Sequence, residues 1–286
     1  MTQHPTGAAD LDPRFVFDYT PLDLPEAGTP DRRPTTYWEV VRGNRGPAPV
    51  PDWVVTDAGA VDTDLGVLKT GKEADVVLVE RAATDGSGHT ALMAAKRYRS
   101  EQHRSFHRAA VYTEGRRTRR SRDARALERK SAYGRRVATG QWAHAEWDAL
   151  KRYWSLGLPV PYPVQLRGSE ILMEFVGEAS GAAAPRLAEM RPGPERLEGY
   201  YTQLARVVVT LAGHGVAHGD LSAYNVLAEG DDIVVIDLPQ VVDLVANPQG
   251  LAFLHRDCVN VCAWFRSRGL DVDGEALFAE AVAELT

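Results

Sequence analysis

The stretch VAHGDLSAYNVLAEGDDIVVIDLPQ, residues 216–240, sets Asp220, Asn225 and Asp237 into an apolar frame that reads as strand, turn and strand. Polar groups in such a frame need partners, because burying them unpaired costs free energy. NVLA and DIVVID are the strand runs, and EGDD between them is a hairpin turn. Asn225 and Asp237 each lie six residues from Asp231. A regular hairpin centred there sets them opposite one another on one face, roughly 5 Å apart at Cα. An amide oxygen and a carboxylate so placed suit Mg2+, which takes one or two protein carboxylates and completes its shell with phosphate and water. Mn2+ is the other cation that such hard oxygen ligands admit. Asp220 comes five residues before Asn225, in a loop tight enough to need Gly219, and brings a second carboxylate to the same place. It could accept a proton from an attacking hydroxyl or attack phosphorus itself. The plain alternative is that Asp220 and Asn225 are loop residues that bond their own backbone.

The rest of the chain can support such a site. With 286 residues, 44% of them hydrophobic, it can bury one large core or two lobes without staples. Cys258 and Cys262, at i and i+4, share a helix face and read as core packing rather than a disulfide or zinc framework. No apolar run approaches the roughly 20 residues of a membrane span. The start, MTQHPTGAADLD, lacks the basic and apolar parts of a signal peptide, so the expected location is the cytoplasm. Net charge is −6, unevenly spread: residues 97–136 hold fourteen Arg and Lys against four acids, a net +10 that leaves −16 on the remainder. Arg outweighs Lys throughout, as a GC-rich genome would also produce, so Arg abundance alone says little about nucleic acid.

Residues 1–50 are Pro-rich with little apolar periodicity and are expected to form a disordered or loosely docked arm. From Val61 the pattern changes to LGVLKTGKEADVVLVERA, a strand, Gly-containing turn and strand, then DGSGHT and a third strand, ALMAAKRY. After the Arg-rich segment, GQWAHAEWDALKRYWSLGLPVP carries Trp142, Ala149, Leu150 and Tyr153 at helical spacing and stops at Gly157 and Pro159. Two short strands around Gly168, a helix over RLEGYYTQLARVVVTLAGHG, the opening stretch and two terminal helices follow, with Asn247 or Asp273 as caps. The order predicts an α+β protein of two lobes joined near residues 174–178. These are an N-lobe over 51–175, with a basic flexible loop at about 97–138, and a C-lobe over 176–286.

Glu146 lies four residues after Trp142 and four before Leu150, inside the apolar stripe of its helix. A carboxylate there needs a cation, and Lys96, at the end of the third strand, is the fitting candidate. A rim Glu bonded to one of the many arginines is the alternative.

HGDLSAYN followed by IDLPQ resembles the catalytic and metal-binding loops of the RIO atypical protein kinases. Ordinary protein kinases carry H-R-D-L-x-x-x-N and D-F-G instead. Here Ser222 stands where those often have Lys, and Leu238-Pro239-Gln240 follows the metal Asp. KTGKEADV, a hairpin turn when read by itself, is similar to the family's S-T-G-K-E-A-N-V loop, with Lys69 for Ser and Asp75 for Asn. The resemblance implies a two-lobed protein-kinase-like fold that binds ATP with Mg2+. Lys69, Thr70, Gly71, Lys72, Glu73 and Ala74 would form the phosphate loop, with Thr70, Gly71 and Lys72 as donors. Lys96, held by Glu146, would bind phosphates, and Met173 would back the base, which bonds the backbone of Glu174 and Val176. Ser222 would belong to the nucleotide site, Asp220, Lys96 and Asn225 would serve catalysis, and Asn225 and Asp237 would hold the metal. No winged-helix pattern precedes these motifs, so the closer likeness is to the subfamily without that domain, in a bacterial member.

Only 49 residues follow Asp237, with no A-P-E motif, so two mechanisms stay open. One is phosphoryl transfer to a protein Ser or Thr, on another protein or itself. The other is ATP hydrolysis that drives a conformational switch through phospho-Asp220. A small-molecule kinase of the aminoglycoside or choline phosphotransferase type shares H-G-D-x-x-x-x-N but usually has a second His where Ser222 stands, and a large helical insertion. A third reading is a non-catalytic module whose basic segment, 97–136, grips RNA or an acidic partner. His103 and His107 in that segment read as a solvated face, and aromatic interleaving is thin. Oligomeric state and the physiological substrate are not written in the sequence.

Overall fold

The computed structural model of the protein describes residues 31–99, 132–238 and 241–285. Strand β1 (Arg32–Pro34) opens a six-stranded antiparallel sheet with β2 (Val61–Thr70), β3 (Ala74–Ala82), β4 (Thr90–Tyr98), β5 (Pro163–Arg167) and β6 (Glu170–Glu174), in the order β1-β2-β3-β4-β6-β5. Strand β3, ADVVLVERA, reads as an almost unbroken apolar run because both of its faces are covered. Helix α1 (Ala132–Ser155) covers the inner face with Ala143, Trp147, Leu150 and Tyr153, and the expected Trp142 and Ala149 pack on the same core. It closes on Gly157 at φ 72°, where Leu158 N donates to Tyr153 O (3.0 Å) and Gly157 N to Trp154 O (2.9 Å).

The outer face is covered by residues 35–60, which corrects part of the expectation for the arm. Tyr37 and Val54 pack with Val77, Val79, Met93, Ala95, Val164 and Leu172. Thr35 N donates to Ala60 O (2.8 Å), Tyr162 Oη to Pro47 O (2.9 Å), and Trp147 Nε1 and Lys151 Nζ both to Gly43 O (3.1 and 2.9 Å). A Pro-rich segment can dock through isolated aromatics and backbone carbonyls without the periodicity of a helix or strand, so residues 31–50 are docked on the sheet rather than disordered. Residues 1–30 lie outside the described residues.

The basic segment also changes at both ends. Arg97 belongs to β4 and is buried against Asp64 (2.6 Å) and Glu170 (2.5 Å), and Arg99 pairs with Asp75 (2.7 Å), so neither is a free cation for a polyanion. Residues 132–138 are already helical. Residues 100–131, with His103, His107 and most of the arginines, lie outside the described residues.

The second lobe holds α2 (Pro194–Gly213), which starts on its helix-compatible proline, a bridge of β7 (Val216–Ala217) with β10 (Val242–Asp243), the hairpin β8 (Val226–Glu229) and β9 (Asp232–Val235), α3 (Gly250–Arg266) and α4 (Gly274–Ala283). Asp273 caps α4 by accepting from Glu275 N (3.1 Å), while Asn247 closes the turn before α3 by accepting from Gln249 N (2.9 Å). Cys258 and Cys262 are buried, and burial pushes the Cys258 thiol up to about 12. Among the described residues no helix is long and apolar enough to cross a membrane. The architecture is a two-lobed α+β one.

Arg81, 0% exposed, donates to Asp62 at 2.6 and 2.9 Å and to Gln165 at 3.0 Å, tying β3 to β2 and β5 under Tyr37. Arg81→Met leaves Asp62 buried without its cation and is expected to cost about 3–5 kcal/mol in chemical denaturation. Arg81→Met/Asp62→Leu should recover most of that loss.

Candidate active site

Lys96 faces the inner side of the sheet, at the row of β4 where α1 crosses. Its Nζ lies 2.7 Å from Glu146 Oε1 and 2.9 Å from Asp237 Oδ1, so a strand of one lobe, its helix and the loop after β9 meet at one ammonium. Glu146 is 2% exposed. Its second oxygen accepts from the Tyr98 hydroxyl, two residues along the same face of β4. Burial and the neighbouring Glu146 raise the Tyr98 phenol well above its usual range. Burial works against the Lys96 ammonium, but Glu146, Tyr98 and Asp237 outweigh it and hold the charge on. Lys96 in turn draws Asp237 down to about 2.

The register of the hairpin differs by one residue from the count about Asp231. Glu229 pairs with Asp232 and Val226 with Val235, so the turn is Gly230-Asp231, with Gly230 at φ 62°. Asn225 therefore faces Ile236, whose N–H bonds Asn225 O (2.9 Å), and not Asp237. Asp237 departs from the ladder at φ 66°, a left-handed backbone that no other non-glycine residue adopts among the described residues. That turn, and not the ladder, carries its carboxylate to Lys96.

The catalytic-loop stretch is tied down from beneath. Asp257, on the buried face of α3, accepts from Gly219 N (2.7 Å) and Leu221 N (2.9 Å), while Arg256 donates to Gly219 O. Burial raises the Asp257 carboxyl. His218 bridges the two loops: its Nε2 faces Ile236 O (3.3 Å) and its Nδ1 accepts from Asp220 N (3.4 Å). The Asp220 side chain is left exposed. Asn225 Nδ2 donates to Asp220 O (2.9 Å), which leaves its amide oxygen as the group available to a cation. Ser222 starts the short turn Ala223–Asn225, its carbonyl accepting from Asn225 N (2.9 Å).

Between β2 and β3 the loop closes on itself. Gly71 N bonds Ala74 O (2.9 Å), and a Cβ on Gly71 would sit 2.8 Å from that oxygen. The Gly71 amide is thus bonded within its own loop, and Glu73 O is engaged by Arg99 N (2.9 Å). Thr70 pairs with Asp75 in the ladder, whereas Lys72 and Glu73 are exposed. Met173 is buried on the inner face, next to Ala94 of β4. The Glu174 N–H donates to Tyr162 O (2.9 Å) and Val176 O accepts from Ala184 N (3.0 Å). What Glu174 can offer a base is thus narrowed to its carbonyl.

This geometry can be set beside known proteins. A family model described as RIO domain matches residues 82–277. The RIO-type serine/threonine-protein kinase Rio1 of Haloferax volcanii is 34% identical over 77% of this chain and 69% of its own length. The chain belongs to the RIO family. The serine/threonine-protein kinases RIO3 of Mus musculus, at 28% identity, and RIO1 of Saccharomyces cerevisiae, at 30%, are longer proteins, and the match spans 41% and 30% of their lengths. The Rio2 kinase–ADP/Mg2+–phosphoaspartate complex from Chaetomium thermophilum has the same two-lobed kinase-like fold, with a TM-score of 0.55 over 78% of this chain and 62% of that one at 21% identity.

Within this RIO domain, three features of the site escape a motif search. Asp257 sits among Phe253, Leu254, Cys258 and Val261 on the buried face of α3, the same carboxylate-in-a-stripe signal that marks Glu146. Tyr98 is found by alternation from Lys96. Arg186 carries no local signal: it bridges to Leu227 of β8 and donates to Tyr224 O from the start of a single 3-10 turn, Leu187–Glu189.

Because Asp237 titrates below its usual range, the Lys96 pair stabilises the folded protein fully above the ordinary aspartate value of about 3.9, and that contribution is lost as pH falls through about 2. Carbon-detected NMR titration should place the Asp237 carboxyl at about 2 in the wild type. Lys96→Met should move it upward, toward about 3.9.

Proposed function

We propose that the chain is an ATP- and Mg2+-dependent RIO-type serine/threonine protein kinase with ATPase activity. The observation that carries this reading is the double ion pair of Lys96 with Glu146 and Asp237 at 2.7 and 2.9 Å. It gathers a phosphate-binding cation, the acid that orients it and a metal-binding acid from positions 50 and 141 residues away.

The residues present fit a hard divalent cation. Among the described residues no three His, Cys, Asp or Glu side chains form a cage of their own. One carboxylate, Asp237, and one amide oxygen, Asn225 Oδ1, match an ion that takes the rest of its shell from phosphate and water. Asn225 and Asp237 would hold the Mg2+, which supplies neutralising charge to the phosphates when bound. Lys96 orients phosphate oxygens and stays protonated while doing so. Asp220, exposed on a loop fixed by Asp257 and His218, accepts the proton of an attacking Ser or Thr hydroxyl. Met173 closes the pocket behind the base, and the Glu174 carbonyl and Val176 backbone edge it.

A second course at the same site is attack by an Asp220 oxygen on the terminal phosphorus, which breaks the bond to the bridging oxygen and releases ADP, giving a phospho-aspartate that water later cleaves to inorganic phosphate. The exposure of Asp220 favours it, as does the phosphoaspartate of the Chaetomium thermophilum Rio2 complex. Pure protein incubated with radiolabelled ATP and Mg2+, with and without a generic protein substrate, tests both. Asp220→Asn should lower phosphoryl transfer at least about 100-fold. Asn225→Ala/Asp237→Ala should abolish turnover, and full turnover in that variant refutes the site. An acid-stable label on Ser or Thr indicates kinase action, and a hydroxylamine-labile label indicates phospho-Asp220.

A further inference from the structure

Lys96 already has two carboxylates, yet two more cations border the same cleft. In the sheet register Lys69 lies opposite Val76 and Val76 opposite Lys96, so one row across β2, β3 and β4 puts both lysines on the inner face, two strands apart. Lys69 is exposed at the cleft. Burial of its stem and the nearby Arg186 lower the Lys69 ammonium below its usual range, while Asp237 acts in the opposite sense. Arg186 comes from the other lobe. Its bridge to Leu227 fixes its backbone beside β8, and its guanidinium donates to Tyr224 O, between Asp220 and Asn225. Among the described residues neither Lys69 nor Arg186 forms an ion pair with a carboxylate, unlike Lys96, Arg81, Arg97 and Arg99. Two like charges, brought together from opposite lobes with no anion of their own, are complementary to a multiply charged anionic ligand.

We propose that Lys69, beside Lys96 on the sheet, and Arg186, from the other lobe, form a second cationic group which grips the terminal phosphate of a nucleoside triphosphate and makes the site prefer triphosphate over diphosphate. Arg186 is anchored to the loop that carries Asp220, through Tyr224 O four residues further along, and the terminal phosphoryl must lie near that loop to be transferred. Lys96 sits deeper, against Glu146, and serves the phosphates nearer the nucleoside. Lys69 closes the same end from above, at the position where the loop this one resembles carries serine. The inference rests on the nucleotide-binding reading above and adds the residues that sense the length of the phosphate chain.

Calorimetric titration with Mg2+ and either ADP or the non-hydrolysable β,γ-methylene ATP tests it. Lys69→Ser should weaken triphosphate binding about tenfold and change diphosphate binding less than about twofold. Lys69→Arg should restore triphosphate affinity, and Arg186→Gln should act in the same sense as Lys69→Ser. Because Lys69 is exposed, its serine variant keeps the fold and decides the question even if Arg186→Gln disturbs the Tyr224 loop. Equal losses for both nucleotides, or no loss in Lys69→Ser, overturn the second cationic group while leaving the nucleotide site in place. A wild-type protein that binds neither nucleotide overturns the nucleotide-binding reading and this inference together.

Discussion

One ammonium group holds the two lobes to a common point. Lys96 Nζ is bonded to a buried carboxylate of α1 and to a half-exposed one beyond β9, and its own side chain is only 14% exposed. Desolvating Lys96 and Glu146 is costly, and the arrangement persists because each carboxylate has the cation within hydrogen-bond reach and Glu146 gains the Tyr98 hydroxyl as well. The rest of the molecule keeps those atoms in register. Gly43 O accepts from Trp147 and from Lys151 one turn further along, so α1 cannot rotate away from the sheet without breaking both bonds.

The opposite side of the cleft is fixed by a different device. A buried Asp257 takes the place of water for the amides of Gly219 and Leu221, and His218 joins that loop to the end of β9. The left-handed backbone of Asp237 is a local cost that this surrounding structure sustains. Rigid loops on both sides allow small side chains, a single aspartate and a single asparagine, to define a reacting centre.

Much of this was legible from side-chain chemistry. The apolar stripe around Glu146 called for a cation, and the strand pattern offered Lys96. The hairpin was legible as a hairpin, but its register was not. EGDD admits turns centred one half-residue apart, and the difference decides which residue faces Asn225. Backbone conformation at Asp237 is set by packing that no local pattern encodes. The docking of residues 31–50 was hidden for a related reason: the segment is held by single aromatics and carbonyls, and composition alone cannot tell such a strap from a free arm. Arg186 was hidden because its role depends on two chain segments meeting in space.

The cover that residues 35–60 give the outer face of the sheet separates two notions of a domain. The family match begins at residue 82, the last residue of β3. A chain cut there would lose β1, β2 and β3, leave β4 as an unprotected edge, and bare Met93, Ala95, Val164 and Leu172 to water. The stretch that the family model matches is thus shorter than the body that packs together, which among the described residues also takes in β1, β2 and β3.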